Sequence, residues 1–377
     1  MKFRVDRDVL ADAVAWTARS IPTRPGTLPQ LSGILVSTGT DGLQLSGFDY
    51  ETSAQVTIAA DIADEGQVLV SGRLLADIAR ALPRQPVDVA LDGAKLALTC
   101  GTSRFSLQTM PVEDYPALPE MPEMAGTIDA AAFAAAVSQV AIAAGRDDTL
   151  PMLTGVRIEL EGSTLALLAT DRYRLAVREL EWRPDAPDMT LAALVPARTL
   201  NDTAKTLGPL GGSVTVALSR GGVGEGMIGF AGGTRRTTSR LLDGDFPKVR
   251  ALLPDTHNAR AWVSVSALSE VVRRVVLVAE RLTPVRLSFS ADGLIVEASG
   301  SEDAKASEAL DCRYEGEPMT IAFNHQYLLD GLNALNSPIA VLSFTDPKKP
   351  AVMLPAKDDE EVIPGYQYLI MPVRIGS

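Results

Sequence analysis

Three helix-start signals recur at nearly even intervals along this 377-residue chain, and no other feature narrows its possible folds so far. Val5-Asp6-Arg7-Asp8-Val9-Leu10 is followed by Val14, Ile128-Asp129 by Phe133 and Val137, and Val263-Ser264 by Leu268 and Val272. Each reads as the end of a strand, an Asp or Ser N-cap, and apolar residues four and eight positions after that cap. A second marker repeats in phase: Ser71 to Leu82, Ala197 to Leu207 and Asn324 to Leu335 align through Asp77, Asp202 and Asp330. In its first copy Leu74, Leu75, Ile78 and Leu82 fall on one helical stripe. Short strand-like runs flank it, Val68 to Val70 before and Val87 to Leu91 after. Asp41-Gly42, Glu161-Gly162 and Asp292-Gly293 precede alternating segments and mark tight hairpins. The expectation is an α+β protein of three repeated domains, each with two helices on one side of antiparallel strands. Proline-rich stretches from Pro111 to Pro122 and from Pro254 to Arg260 place the domains at 1–124, 125–256 and 257–377.

Composition bounds the chemistry. Hydrophobic residues make up 46% and charged residues 22%, enough apolar mass for real cores, which excludes disordered and fibrous classes. Two cysteines (Cys100, Cys312) and two histidines (His257, His325) are too few for zinc fingers, Fe–S clusters or a disulfide framework. Both cysteines lie in strand-like runs and read as buried small hydrophobes. The N-terminus has no apolar core of a signal peptide, and the longest apolar run, Ala130 to Val137, is too short to span a bilayer. A cytosolic chain without membrane contact is expected. No G-x-x-x-x-G-K-[ST], G-x-S-x-G or H-E-x-x-H pattern occurs, so the residues offer no catalytic site and call for no cofactor or metal. The glycine cluster Gly221 to Gly226 reads as a hairpin tip and Asp358 to Glu361 as a solvated loop.

The formal net charge is −12, which argues against an ordinary basic DNA binder. Charge is nevertheless sorted by face. Arg73, Asp77, Arg80 and Arg84 share one helical stripe, and Arg198, Asp202 and Lys205 repeat it. The third copy has Gln326, Asp330 and Asn333 instead, while Arg273, Arg274 and Arg281 face away from Val272, Val275, Val276 and Ala279. Basic stripes lining a concavity, with the acidic excess outside, would hold a polyanion by enclosure. No base-reading motif is present, so such binding is blind to sequence.

The three repeats, Thr170-Asp-Arg-Tyr-Arg-Leu175, Asp245-Phe-Pro247, Phe323-Asn324 with Tyr327, and the C-terminal Met371-Pro-Val-Arg374 together resemble the bacterial DNA polymerase III beta subunit family, the sliding clamps, and its actinobacterial branch most closely. The resemblance spans nearly the whole chain. It implies a head-to-tail homodimer whose six similar domains close a ring around duplex DNA, a processivity factor in replication and repair with no catalysis of its own. It also implies a peptide-binding groove at the junction of domains two and three, which takes short linear motifs from the polymerase III catalytic subunit, the clamp loader, other polymerases and repair proteins. Carried over by position, that groove comprises Leu153, Thr170, Arg172, Tyr173, Arg174, Leu175, Pro247 and Leu282. Asn324, Tyr327, Leu369, Ile370, Met371, Pro372, Val373 and Arg374 complete it. The common pattern has Gly-His where this chain has Arg172-Tyr173, a filled rim expected to alter motif preference. Arg24 matches a loop arginine that touches duplex in the family. Arg73, Arg80, Arg84, Arg146, Arg198, Lys205, Arg273, Arg274 and Arg281 complete the expected DNA lining. Phe105 and Leu107 of one subunit are expected to meet Val276 and Leu277 of the next. The competing reading is a non-encircling three-repeat scaffold that binds peptides only, as a monomer.

Overall fold

The structure is a computed structural model that describes residues 1–22, 28–219, 226–280, 283–300, 304–358 and 360–374. The expected sites Arg24, Arg281 and Leu282, and most of the glycine cluster at 221–226, lie outside the described residues.

Six α-helices occur among the described residues, two per repeat: α1 (Arg7–Thr17), α2 (Gly72–Ala81), α3 (Ala130–Ala141), α4 (Ala197–Leu207), α5 (Val265–Val275) and α6 (His325–Leu335). Their starts follow from the caps. Asp6 accepts from the backbone N–H of Asp8 and Val9, Asp129 from Ala132, Ser264 from Ala267, and Asn324 from Gln326 and Tyr327. Each cap satisfies donors that the first helical turn would otherwise leave open. The residues four and eight places after the first-helix caps are all buried: Leu10 and Val14, Phe133 and Val137, Leu268 and Val272. Each such side chain contributes roughly 1.5–3 kcal/mol through removal from water. On α2 the buried face is Leu75, Ala76, Ile78 and Ala79, closed by Leu82, whereas Leu74 is 48% exposed. The apolar stripe is thus narrower than expected, because Leu74 sits about 100° around the helix from Leu75.

The described residues form two compact units that cut across the three sequence repeats. The first comprises Met1–Phe133, Arg183–Ala186 and Asp202–Leu241, and the second Ala134–Trp182, Pro187–Asn201 and Leu242–Ser377. A 14-stranded antiparallel sheet runs through the first unit. In it strand Thr52–Ile58 of the first repeat pairs with strand Arg235–Arg240 of the second. In the second unit a nine-stranded sheet joins strand Arg174–Glu181 to strand Tyr366–Ile370 in the same antiparallel sense, and a four-stranded sheet stands apart from it. The hairpins predicted from acidic-Gly pairs are present, with Gly42, Gly162 and Gly293 all at positive φ, a backbone region that glycine enters without a Cβ clash.

In the first unit α1 and α2 pack on each other and over a core that includes Phe3, Val14, Ile34, Leu45, Leu98 and Leu107. Cys100 is part of that core, but Cys312 departs from expectation: it lies between two strands and is only partly buried. Burial pushes its thiol up to about 11, so little thiolate forms at neutral pH. No helix among the described residues is long and apolar enough to cross a membrane.

Candidate partner groove

Everything at the candidate site hangs on one turn. Strand Thr164–Thr170 returns as strand Arg174–Glu181 through Asp171-Arg172-Tyr173, and Arg172 adopts φ 78°, a left-handed conformation uncommon for a side chain of its size. Hydrogen bonds on both sides hold that conformation. The Asp171 carboxylate accepts from the backbone N–H of Tyr173 (3.0 Å) and Arg174 (3.1 Å). The Thr170 hydroxyl accepts from the Arg172 N–H (3.2 Å) and donates to the Arg174 carbonyl (2.7 Å). Strain of about 1–3 kcal/mol persists only where surrounding bonds over-determine it. The result is a lip on which Arg172 and Tyr173 are exposed while Arg174 points inward and is buried.

Arg174 is the centre of the site. Its Nε donates to Asp171 Oδ2 at 2.9 Å, its Nη1 to Asp330 Oδ2 at 2.6 Å, and its guanidinium carbon lies 4.4 Å from the centroid of the Tyr327 ring. Burial opposes the charge on Arg174, yet Tyr368, Asp330 and Asp171 outweigh it and raise its pKa further. Tyr327 stacks on Tyr173 at 6.3 Å, and Arg172 lies 6.0 Å from the Tyr173 ring, so cations flank a pair of aromatic rings. α6 delivers Tyr327 and Asp330. It comes this close to the sheet because Gly331 has no Cβ, which would fall 2.6 Å from the Tyr368 ring. The Tyr368 hydroxyl donates to the Tyr327 carbonyl at 2.9 Å, and Gln326 on the preceding turn donates to Asp330 Oδ1 at 2.8 Å.

These groups line a groove of about 730 Å³, within the range of ligand pockets. Of the residues expected there, Leu153, Arg172, Tyr173, Arg174 and Tyr327 line it directly. Ala144, Gly145, Asp147, Leu150, Asp171, Gln326 and Asp330 do so as well and were not anticipated. Arg146, expected against DNA, also lines this groove. The other expected residues among those described do not line it. Thr170 and Asn324 fix the turn and the start of α6. Leu175 and Leu369 belong to an apolar cluster with Phe246 and Val249, next to exposed Pro247. Ile370 is fully buried, so its place is in the core. The C-terminal segment is held by main-chain bonds, Met371 N–H to the Tyr173 carbonyl and Val373 N–H to the Ala322 carbonyl, both 2.8 Å, which leaves Met371, Val373 and Arg374 exposed and Pro372 half-buried.

The Val249–Leu252 turn beside Pro247 is pinned by charge. Arg250 donates to Glu179 Oε1 (2.6 Å) and Glu159 Oε2 (3.1 Å), and Arg157 donates to Glu159 Oε1 (2.7 Å). Burial works against ionisation of Glu159, but hydrogen bonds and charge from Arg157 and Arg250 prevail and pull its carboxyl below the ordinary 4.5. A group with a depressed folded-state pKa stabilises fully above its unfolded value and loses that contribution as pH falls through the folded value. Glu159→Gln is therefore expected to lower the Tm at neutral pH, with the deficit closing as pH drops below 4.5. Melting curves of both proteins across that range check this, and a deficit independent of pH refutes it.

Outside the groove, the basic helix faces are as expected in part. Arg73, Arg80 and Arg84 are exposed on or just after α2, Arg198 and Lys205 on α4, and Arg273 on α5. Arg274 is occupied, bonded to Glu308 (2.7 and 3.1 Å) with Glu270 at 3.6 Å. Two expected interface residues keep their exposure, Phe105 at 37% and Leu277 at 83%, and Val276 is half-buried. Leu107 does not, being 1% exposed within the first unit's core. Two residues apart on a regular strand share a face, and Phe105 and Leu107 lie opposite the core residues Leu98 and Leu96, but only Leu107 is itself enclosed in that core. The one sequence signal for Asp330 was its recurrence with Asp77 and Asp202, which looked like a solvated stripe.

The family model of the DNA polymerase III beta subunit matches in three parts: its N-terminal domain over residues 1–119, its central domain over 127–248 and its C-terminal domain over 250–374. The chain is 57% identical over 379 residues to the beta sliding clamp of Streptomyces coelicolor, covering 100% of both chains. It is 52% identical over 315 residues to the beta sliding clamp of Micrococcus luteus, covering 84% of this chain and 100% of that one. The sliding clamp of Pseudomonas aeruginosa, solved bound to griselimycin, superposes with a TM-score of 0.91 at 28% identity, covering 100% of both chains. Matched from end to end by model, relatives and structure, the chain belongs to the DNA polymerase III beta subunit family, the beta sliding clamps.

Proposed function

We propose that two copies of this chain close head to tail into a ring that encircles duplex DNA without reading its sequence, and that the groove around Arg174 tethers polymerases, the clamp loader and repair proteins by short linear motifs. The chain performs no chemistry in this role; it converts a transient polymerase into a processive one by topology. The observation that carries the reading is the groove itself: a buried, doubly paired arginine beneath an exposed aromatic lip, together with a C-terminal segment that exposes Met371, Val373 and Arg374. Leucine and methionine side chains offer adaptable walls, and Arg374 a cation for peptide carbonyls.

Exposed cations on α2, α4 and α5 support the DNA contact. They suit loose, backbone-directed retention in a chain of net charge −12. Two open strand edges support the dimer. Strand Ser103–Met110 pairs with its other neighbour only at Thr109 and Met110, which leaves the edge beside Phe105 open, and strand Lys305–Leu310 ends the four-stranded sheet. Unpaired edges invite another chain. Leu277 would seat against the partner at this junction.

The test is topological. The protein loaded on nicked circular DNA should stay bound through a salt wash and be lost once the circle is cut, and a scaffold that does not encircle would show no difference. Leu277→Lys is expected to shift the protein from dimer to monomer in sedimentation at micromolar concentration. Because Leu277 is 83% exposed, its Tm should hold, surface substitutions usually falling within about 0.5 kcal/mol. A Leu277→Lys protein that remains a dimer removes the interface assignment.

A further inference from the structure

The turn that builds the groove has a twin in the first unit. There strand Gly42–Phe48 passes into strand Thr52–Ile58 through Asp49-Tyr50-Glu51. The Asp49 carboxylate accepts from the N–H of Glu51 (3.0 Å) and Thr52 (2.6 Å), as Asp171 does from Tyr173 and Arg174. Tyr50 adopts φ 73°, against 78° for Arg172. The Asp49 N–H donates to the Thr52 carbonyl (3.2 Å) as Asp171 does to Arg174 (3.3 Å). The Arg240 N–H donates to the Glu51 carbonyl at 2.8 Å, as Met371 does to Tyr173. Asp114-Tyr115-Pro116 likewise repeats Asp245-Phe246-Pro247.

Register carries the equivalence further. Ser53 pairs with Thr238 and Gln55 with Arg236, in the places where Leu175 pairs with Leu369 and Val177 with Gln367. The framework is shared, but Ser53, Thr238 and Gln55 stand in the places of Leu175, Leu369 and Val177, so apolar side chains are exchanged for polar ones. A cavity of about 350 Å³ opens here, lined by Ser53, Gln55, Arg236 and Thr238 together with Leu118, Pro119 and Met121. The Ser53 and Thr238 hydroxyls are buried and bonded to each other at 2.6 Å, so they form a closed polar floor. Arg236 is exposed and makes no ion pair among the described residues. Glu120 also lines the cavity.

We infer that this cavity is a second linear-motif site, one that takes an extended partner segment in which an acidic residue alternates with an apolar one. The apolar side chain packs on Leu118 and Met121 while the carboxylate reaches Arg236, and Glu120 repels a second carboxylate and so sets the register. At half the volume of the first groove, it accommodates a shorter stretch of chain. The inference rests on the proposed partner groove for its analogy, and the experiment separates the two.

The probe is a synthetic peptide with alternating Asp and Leu and a benzophenone cross-linker, beside its Asn-for-Asp analogue. The full-length protein is irradiated with each and the adducts are mapped by peptide mass spectrometry. The acidic peptide should label residues 118–121 at least fivefold more than the neutral one. Arg236→Glu should remove that labelling, and Arg236→Gln, which removes the charge but keeps a polar side chain, should weaken it at least threefold. Met371→Ala with Arg374→Ala should reduce labelling around 371–374 and leave 118–121 unchanged. Absence of adducts at 118–121, equal labelling by the neutral peptide, or displacement of those adducts by duplex DNA overturns the inference. Adducts at 118–121 without any near 371–374 would uphold it and reject the partner groove instead.

Discussion

Arg174→Met should lower the unfolding free energy of the second unit by about 3–5 kcal/mol, the usual cost of removing one partner from a buried ion pair. The substitution keeps much of the side-chain volume, so the loss is electrostatic. Two carboxylates, Asp171 at 13% and Asp330 at 26% side-chain exposure, are left without their cation, and Tyr327 loses the guanidinium above its ring. A loss of this size is a large part of the roughly 5–15 kcal/mol that holds a domain together. Denaturant unfolding followed by tryptophan fluorescence measures it, with Trp182 buried in the same unit. A second variant identifies the cause. Arg174→Met combined with Asp171→Asn and Asp330→Asn removes the orphaned charges, while the amide introduced in the turn still offers a carbonyl oxygen to its backbone N–H groups. That triple variant should recover at least half of the loss. Should Arg174→Met alone cost under about 1 kcal/mol, the pairing does not anchor the site, since a figure that small is what an exposed pair contributes.

How much of this could be read in the amino-acid order depended on the range of the interaction. Helix starts were legible because Asp6, Asp129 and Ser264 act on N–H groups two or three residues away. Hairpins were legible for the same reason at Gly42, Gly162 and Gly293. The ladders between repeats were not: nothing local in Thr52–Ile58 shows that it pairs with Arg235–Arg240, nearly two hundred residues later. The same holds for Asp330. Its spacing from Gln326 and Asn333 describes a solvated face, and only the tertiary approach of α6 at Gly331 brings its carboxylate to Arg174. Arg146 shows the converse limit. A positive charge in a loop after α3 suits phosphate as well as peptide, and its neighbours alone place it in the groove wall. The three-repeat α+β organisation was clear from short-range signals and repetition, while the wiring of the site came from contacts no spacing encodes.

Replacing Met371 and Arg374 by alanine together should weaken binding of a polymerase-derived linear peptide by at least about 30-fold, the roughly 2 kcal/mol threshold of an interface hot spot. Both side chains are exposed, Met371 at 39%, while the segment they belong to is held by main-chain atoms, through Met371 N–H to Tyr173 and Val373 N–H to Ala322. Alanine keeps both N–H donors, so the backbone path survives and the unfolding free energy should change by no more than about 0.5 kcal/mol. That separation is the point of the design. Arg174→Met also empties the groove of affinity, but by collapsing its support, whereas the C-terminal pair removes only groups that a peptide would touch. Fluorescence anisotropy with a labelled peptide, read beside a denaturation curve of the same preparation, distinguishes the two modes of loss. If the double-alanine protein binds as tightly as the parent while remaining equally stable, the C-terminal segment is not part of the partner site, and the role of the exposed Tyr173 lip must be re-examined without it.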